Sequence, residues 1–126
     1  MRPAKHTEAA RRFAERRQRE DDAPRLIAEV PALASLNLEI SEQKGEVAAS
    51  TTHTRRIVVA SAPAYFEIPC GDPSCTDGGH DLTYAVMRAL RGHATSFDGE
   101  DVCRGNVRTS DCARVLRYVG VATYKS

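Results

Sequence analysis

The side chains most suited to chemistry in this sequence are four cysteines, all in its second half: Cys70, Cys75, Cys103 and Cys112. Four residues separate the first pair, 27 lie between the pairs, and eight separate the second pair. Structural zinc sites often take two thiolates from each of two loops and hold the ion in a tetrahedron. The spacing therefore predicts a structural zinc site with these four cysteines as ligands.

The residues around the first pair favour this interpretation and add a fifth candidate ligand. Gly71 and Pro73 allow a tight turn of the zinc-knuckle kind, which brings two sulfur atoms to one ion. His80 follows Cys75 by five positions, so a set in which His80 replaces one cysteine of the second pair is an alternative. Without a metal, the cysteines would be small buried side chains or pairs that oxidise under stress. Thiolates select zinc or iron, and zinc is the cofactor we expect.

His80 also carries the enzymatic alternatives. The dipeptide His80–Asp81 is of a kind found in metal-dependent phosphohydrolases, although those enzymes need several further metal ligands. A histidine before a helix also occurs in ββα-metal nucleases, and His80 is close enough in sequence to serve as the base for a nucleophilic Cys75. The His-x-Glu and Pro-Cys-x-x-Cys motifs of zinc deaminases are absent. We therefore expect no enzyme, with a metal-dependent hydrolase or nuclease that uses His80 as the alternative.

Composition predicts one globular unit. A length of 126 residues suits a single domain. Hydrophobic residues make up 41% and charged residues 28%, which excludes a wholly disordered or fibrous chain. Aromatic residues are only 6% and tryptophan is absent, so few large side chains are available to fill a core that a metal crosslink would reinforce.

Charge favours a contact surface made of arginine. The 18 basic and 17 acidic side chains nearly cancel, so no field of one sign covers the molecule. All the basic residues except three lysines are arginine, whose planar guanidinium binds phosphate and carboxylate groups bidentately. Candidate contact residues are Arg88, Arg91, Arg108 and Arg117, together with Arg55 and Arg56. Arginines that converge on one face would bind nucleic-acid phosphates, whereas a face interrupted by Asp98, Glu100 and Asp101 would suit a protein.

The N-terminal segment reads as a separate charged element. Residues 7–22 have helical spacing, with Thr7 as N-cap, a narrow apolar patch and charges of both signs elsewhere. We expect residues 1–23 to form a charged helix or arm and residues 24–126 to form the domain with the cysteine site. Phe13 on this helix is a candidate partner-binding residue, so a protein-interaction or oligomeric component that docks through the helix is a second hypothesis.

The remaining elements alternate between strands and helices. Apolar periodicity predicts a short helix or turn in residues 25–34, strands at 35–41, 55–61 and 65–68, and a long strand at 113–124. It also predicts one strong helix, with Asp81 as N-cap and Gly92 at its end. Residues 42–54 read as a long loop, and residues 95–103 as a hairpin turn centred on Asp98 and Gly99.

This order predicts an α+β fold in which a small antiparallel sheet packs on one main helix. No apolar run is long enough for a signal-peptide core or a membrane span. We expect a cytoplasmic protein, because thiols stay reduced in the cytoplasm. The expected function is a small, non-enzymatic, zinc-stabilised binding module that contacts nucleic acid or protein, with neither a membrane nor a small-molecule substrate as partner.

Overall fold

The computed structural model describes residues 4–43, 51–72 and 74–125. Its helices are α1 (Ala4–Asp22), α2 (Leu26–Glu29) and α3 (Thr83–Arg91). Its longer strands are β1 (Leu33–Gln43), β2 (Thr51–Ile57), β6 (Ser96–Val102) and β9 (Val115–Tyr124). Its two-residue strands are β3 (Glu67–Ile68), β4 (Cys75–Thr76), β5 (His80–Asp81), β7 (Asn106–Val107) and β8 (Ser110–Asp111).

The four longer strands form one antiparallel sheet in the order β2-β1-β9-β6. Alternate residues of β1, namely Leu36, Leu38 and Ile40, are almost fully buried. Because side chains alternate between the two faces of a strand, this pattern fixes which face of the sheet meets the core. The predicted half-buried strand is therefore present, and it extends two residues further at each end.

Helix α3 covers the buried face of the sheet. Val86, Met87 and Leu90 are buried and belong to the same apolar cluster as Leu38 and Leu116 of the sheet. Each such side chain, fully buried, contributes roughly 1.5–3 kcal/mol through removal from water. The small antiparallel sheet with helices agrees with the expected α+β class.

The start of α3 differs slightly from the prediction. Leu82 occupies the N-cap position, and Asp81 belongs to β5. The Asp81 carboxylate nevertheless accepts a hydrogen bond from the backbone N–H of Thr83 at 3.0 Å. Asp81 therefore satisfies one of the free N–H groups of the first helical turn, as a capping side chain does.

Two loop predictions were wrong. Residues 96–102 form strand β6 instead of a hairpin, because Gly99 lies opposite Tyr118 in the ladder. A Cβ on Gly99 would lie 2.5 Å from the Tyr118 hydroxyl oxygen, so this glycine makes room for a ring instead of a turn. The predicted loop at 42–54 includes strand residues at both ends, and its positions 44–50 lie outside the described residues. The strand predicted at 55–61 lies four residues earlier, at Thr51–Ile57, and the strand predicted at 65–68 is shorter, at Glu67–Ile68.

Helix α1 begins at Ala4, before the predicted N-cap, and contacts the domain near its C-terminal end. Arg19 Nε donates to the Tyr65 hydroxyl at 2.9 Å, and its terminal nitrogen donates to Glu67 at 3.1 Å. The Tyr65 hydroxyl donates in turn to Glu67 at 2.6 Å. This closed set of three side chains holds α1 against the segment that leads into the first cysteine loop.

Candidate metal centre

The four cysteines lie on two loops that short strands hold together. Cys70 follows β3 and Cys75 begins β4, while Cys103 follows β6 and Cys112 follows β8. Strand β4 pairs with β7, and β7 pairs with β8 in a tight hairpin. The second loop therefore lies alongside the first, so the two cysteine pairs meet.

The sulfur atoms lie close enough together to hold one metal ion. Cys70 Sγ lies 3.7 Å from Cys112 Sγ, and Cys75 Sγ lies 3.6 Å from Cys103 Sγ. All four lie within 4.8 Å of one another. A zinc ion with Zn–S bonds of about 2.3 Å places its sulfurs about 3.8 Å apart. A disulfide would need about 2.05 Å, and all four cysteines are free.

Backbone N–H groups point at the sulfurs. The N–H of Gly79 donates to Cys103 Sγ at 3.3 Å, and that of Asp72 donates to Cys70 Sγ at 3.5 Å. Hydrogen bonds of this kind stabilise the charged form of the acceptor. The arrangement thus supplies donors for thiolates, which is the form in which cysteine binds metal.

The pKa values of three of the cysteine thiols are shifted from their usual range. Burial raises the pKa of the Cys70 thiol to about 11, and burial followed by the hydrogen bond with Cys103 raises the pKa of Cys75 as well. Burial also acts to raise the pKa of Cys103, but hydrogen bonds from the backbone of Gly79 and Gly105 outweigh it, and the pKa is lowered. Without a cation the cluster is not fully ionised at neutral pH, so a metal ion is the group that would stabilise four thiolates together.

Glu42 is a residue of this site that the sequence analysis missed. Both of its carboxylate oxygens accept the N–H of Gly71 at 3.0 Å, next to Cys70. Its Oε1 also lies 3.2 Å from Arg114 Nε, two positions after Cys112, in an ion pair that is not an aligned hydrogen bond. One carboxylate of the main sheet therefore contacts both cysteine loops. The sequence contains one indication of this role. Glu42 follows the buried Leu36, Leu38 and Ile40 at alternate positions of β1, so it lies on the same face of the sheet.

Arg104 and Arg114 follow Cys103 and Cys112 within two residues, and both pair with carboxylates. Arg114 contacts Glu42, and Arg104, which is 85% exposed, lies 3.9 Å from Asp101. The described groups that hydrogen-bond with the sulfurs are backbone N–H donors, the carbonyl oxygen of Thr76 and neighbouring cysteines.

His80 is buried beside the metal centre but outside it. Its side chain is fully buried, and Nδ1 lies 2.8 Å from Asp101 Oδ2. Among the described residues, the group of metal-binding side chains contains only the four cysteines. Nε2 of His80 has no hydrogen-bond partner there. The alternative ligand set that includes His80 is thus not the one that the geometry brings together.

The geometry does not favour the catalytic alternatives. His80 and Asp81 are neighbours on strand β5, with His80 buried and Asp81 exposed, so their side chains do not converge. Cys75 Sγ contacts Cys103 Sγ and the carbonyl of Thr76, and the raised pKa of Cys75 is the opposite of what an activated nucleophile needs.

The candidate arginines lie in four separate places. Arg88 and Arg91 are on α3, Arg117 is on the outward face of β9, and Arg108 is at the turn between β7 and β8. Arg91 pairs with Glu29 at 2.7 Å, and Arg117 pairs with Glu100 at 3.3 Å. Arg55 and Arg56 are consecutive residues of β2, so they point to opposite faces.

Phe13 is the exposed aromatic residue of α1. It is 55% exposed, and the Arg16 guanidinium lies 5.5 Å from the centre of its ring. Both residues line a cleft of about 340 Å³ between α1 and the first cysteine loop, which also includes Cys70, Cys75 and Gly79. The exposed helix and the candidate metal centre therefore border the same cleft.

Comparison with protein-family models, with curated proteins and with solved structures found no significant match. Within the described residues, no helix is long and apolar enough to cross a membrane.

Proposed function

We propose that this protein is a non-enzymatic binding module whose fold is stabilised by a structural zinc ion. The observation that carries the proposal is the group of four free cysteine sulfurs within 4.8 Å of one another. Four protein ligands fill a tetrahedral zinc shell and leave no position for water or substrate, which is typical of structural sites. A thiolate site also needs reduced cysteines, so the proposed compartment is the cytoplasm.

The distribution of charge supports a protein as the partner. A phosphate-binding surface needs several unpaired cations on one face. The candidate arginines lie on α3, on the outer sheet face and at the β7–β8 turn, and Arg91 and Arg117 are already paired with carboxylates. A surface of mixed charge suits a protein partner better than a nucleic acid, so nucleic acid remains the alternative partner class.

Metal content tests this proposal. The protein is purified without a metal-affinity tag, and zinc per chain is measured by elemental mass spectrometry for the wild type, Cys75→Ser and His80→Ala. We expect one zinc per chain in the wild type and in His80→Ala, and a large loss in Cys75→Ser. Loss in His80→Ala with retention in Cys75→Ser would support the hydrolase alternative, and a metal-free wild type would refute the proposal.

A second candidate contact is helix α1, and the exposure of Phe13 favours it. Replacing Phe13 with alanine removes the exposed ring without touching a cysteine ligand. If α1 docks on another chain, Phe13→Ala weakens that association and leaves zinc content unchanged. Pull-down from lysate with the wild type and with Phe13→Ala measures the association, and zinc analysis of each protein measures the metal content. Equal association of the two proteins would exclude Phe13 as the contact.

A further inference from the structure

The edge of β6 that faces away from β9 is unpaired within the described part of the chain. Strand β6 is the last strand of the main sheet. Apart from the hydrogen bonds between paired strands, no described backbone hydrogen bond involves residues Ser96–Val102. Such an edge presents a row of N–H and C=O groups that an incoming strand can pair with.

A groove runs beside this free edge, between β6 and α3. It has a volume of about 440 Å³. It stays open because α3 presents small residues to it, namely Ala85, Ala89 and Gly92. Tyr84 and Arg88 also line it from the helix, and Phe97 and Tyr118 line it from the sheet. We call this the β6–α3 groove.

Tyr118 brings a polar group into this groove. The residue is only 6% exposed, but its hydroxyl oxygen is not among the fully buried atoms and stays open to water in the groove. Gly99 of β6 lies directly opposite Tyr118, and the absence of a side chain on Gly99 lets the phenol reach towards the free edge. Burial raises the pKa of Tyr118, so the hydroxyl stays protonated and can donate a hydrogen bond. A hydroxyl that donates to water in an open groove can donate to a bound ligand instead.

The charges along the edge indicate what would pair with it. Asp98 and Glu100 are exposed and lie on the outward face on either side of Gly99. Glu100 is already paired with Arg117 at 3.3 Å, so Asp98 is the carboxylate of the two without a cationic partner among the described residues. If two copies of β6 paired antiparallel around Gly99, Asp98 of each copy would lie opposite Glu100 of the other, and like charges directly opposite are destabilising. A strand with basic side chains opposite Asp98 and Glu100 is favoured instead.

We propose that the β6 edge and the β6–α3 groove bind an extended segment of a partner protein as an added strand. The segment alternates basic and apolar side chains: basic residues lie opposite Asp98 and Glu100, and the apolar residue between them enters the groove over Tyr118. Main-chain hydrogen bonds to β6 supply affinity, and the groove supplies specificity. This inference rests on the proposed function as a protein-binding module and specifies its partner.

A fluorescein-labelled heptapeptide of alternating lysine and valine is the probe, and its binding is followed by fluorescence anisotropy. A heptapeptide of alternating glutamate and valine is the control. We expect saturable binding of the basic peptide alone, with slowed hydrogen exchange of the β6 amides. Asp98→Lys should weaken binding at least tenfold, and Ala89→Trp, which fills the groove, should do the same.

The matched control is Glu39→Lys. Glu39 and Asp98 both lie opposite Val119 on the outward face, but Glu39 is on β1, away from the free edge. Glu39→Lys should leave peptide affinity unchanged. Equal loss in Glu39→Lys and Asp98→Lys would show nonspecific charge attraction and overturn the proposal, and so would absence of binding to the wild type.

Sedimentation and zinc analysis separate the remaining outcomes. A wild-type dimer whose association is altered by Asp98→Lys would make a second copy the occupant of the edge, and so overturn the proposal. A zinc-loaded protein that fails to bind the peptide contradicts the edge site but leaves the metal account standing. A zinc-free protein contradicts the proposed function itself.

Discussion

Gly78 and Gly105 lie where the two cysteine loops contact each other. A Cβ on Gly105 would lie 2.5 Å from Cys75 Sγ and 2.6 Å from the Cα of Gly78. A Cβ on Gly78 would lie 2.5 Å from Cys103 Sγ. Real Cβ atoms do not approach other atoms so closely, so even one methyl group would move a sulfur or separate the loops. Glycine is required here because of space around the sulfurs.

Gly105→Ala should therefore weaken zinc binding. We expect a cost of about 1–3 kcal/mol in stability, as for overpacking of a tight site, and a lower zinc affinity in a chelator competition. Gly92→Ala is the matched control, because its Cβ would have its nearest contacts at 3.6 Å. If the two variants retain zinc equally, the described contact between the loops is contradicted.

His80→Ala should destabilise the domain and leave zinc in place. The substitution removes a fully buried side chain and the partner of Asp101, and we expect a loss of about 2–5 kcal/mol by analogy with other large-to-small core changes. Urea unfolding and zinc content measure the two effects. His93→Ala is the control, since His93 is exposed and only stacks on Tyr124 at 4.6 Å. If His80→Ala and His93→Ala both lost only a little stability, the buried contact of His80 with Asp101 would be contradicted.

Among the helices and strands, apolar periodicity in the sequence predicted the elements that are determined by neighbouring residues. The alternation of Leu36, Leu38 and Ile40 predicted β1, and the helical spacing of Val86 and Leu90 predicted α3. Strand β1 and helix α3 depend on residues near in sequence, which is why the pattern was sufficient. The meeting of the two cysteine loops joins residues as far apart as Cys70 and Cys112, 42 positions apart, and it was predicted from the chemistry of thiolates as shared metal ligands.

Long-range pairing overrode local signals elsewhere. The Asp98–Gly99 pair is typical of a hairpin turn, but β6 pairs with β9 across the whole stretch, and Gly99 accommodates Tyr118. Because β6 was not predicted, neither was the contact between Asp101 and His80. The contact of Glu42 with Gly71 spans 29 positions, and nothing in the spacing of the cysteines indicates it.

Glu42→Gln tests whether strand β1 holds the cysteine loops. The change keeps the shape of the side chain but removes the charge that pairs with Arg114. Groups that support metal ligands typically change metal affinity about 10–100-fold, and we expect a decrease at the lower end of that range. Chelator competition measures it, with Glu39→Gln as the control on the exposed face of the same strand. An unchanged affinity would mean that Glu42 does not position the loops.

Arg19→Ala tests how α1 is attached. This side chain donates to both Tyr65 and Glu67, so its loss leaves α1 without these two described contacts. We expect faster hydrogen exchange throughout α1, while exchange in β1 and β9 stays slow. Arg17→Ala, on an exposed position of the same helix, should change neither. Slow exchange in α1 of Arg19→Ala would show that other contacts anchor it.

For the whole molecule, the second cysteine loop connects β6 to β9, two strands of the main sheet. A metal that closes this loop onto the first would therefore stabilise the sheet as well as the loops. A ligand that binds the folded state and is present at about a thousand times its Kd raises the free energy of unfolding by about 4 kcal/mol. For a domain of this size we expect chelation of zinc to lower Tm by roughly 10–20 °C in thermal unfolding followed by circular dichroism. A Tm unaffected by complete removal of zinc would mean that the site is peripheral to folding.

X-ray absorption at the zinc edge, on protein purified without an affinity tag, identifies the atoms bound to the metal. We expect stoichiometric zinc with four sulfur neighbours at about 2.3 Å. A shell that includes nitrogen at about 2.0 Å would place a histidine on the metal. That result, or a protein without zinc, would contradict the four-thiolate centre on which the proposed function depends.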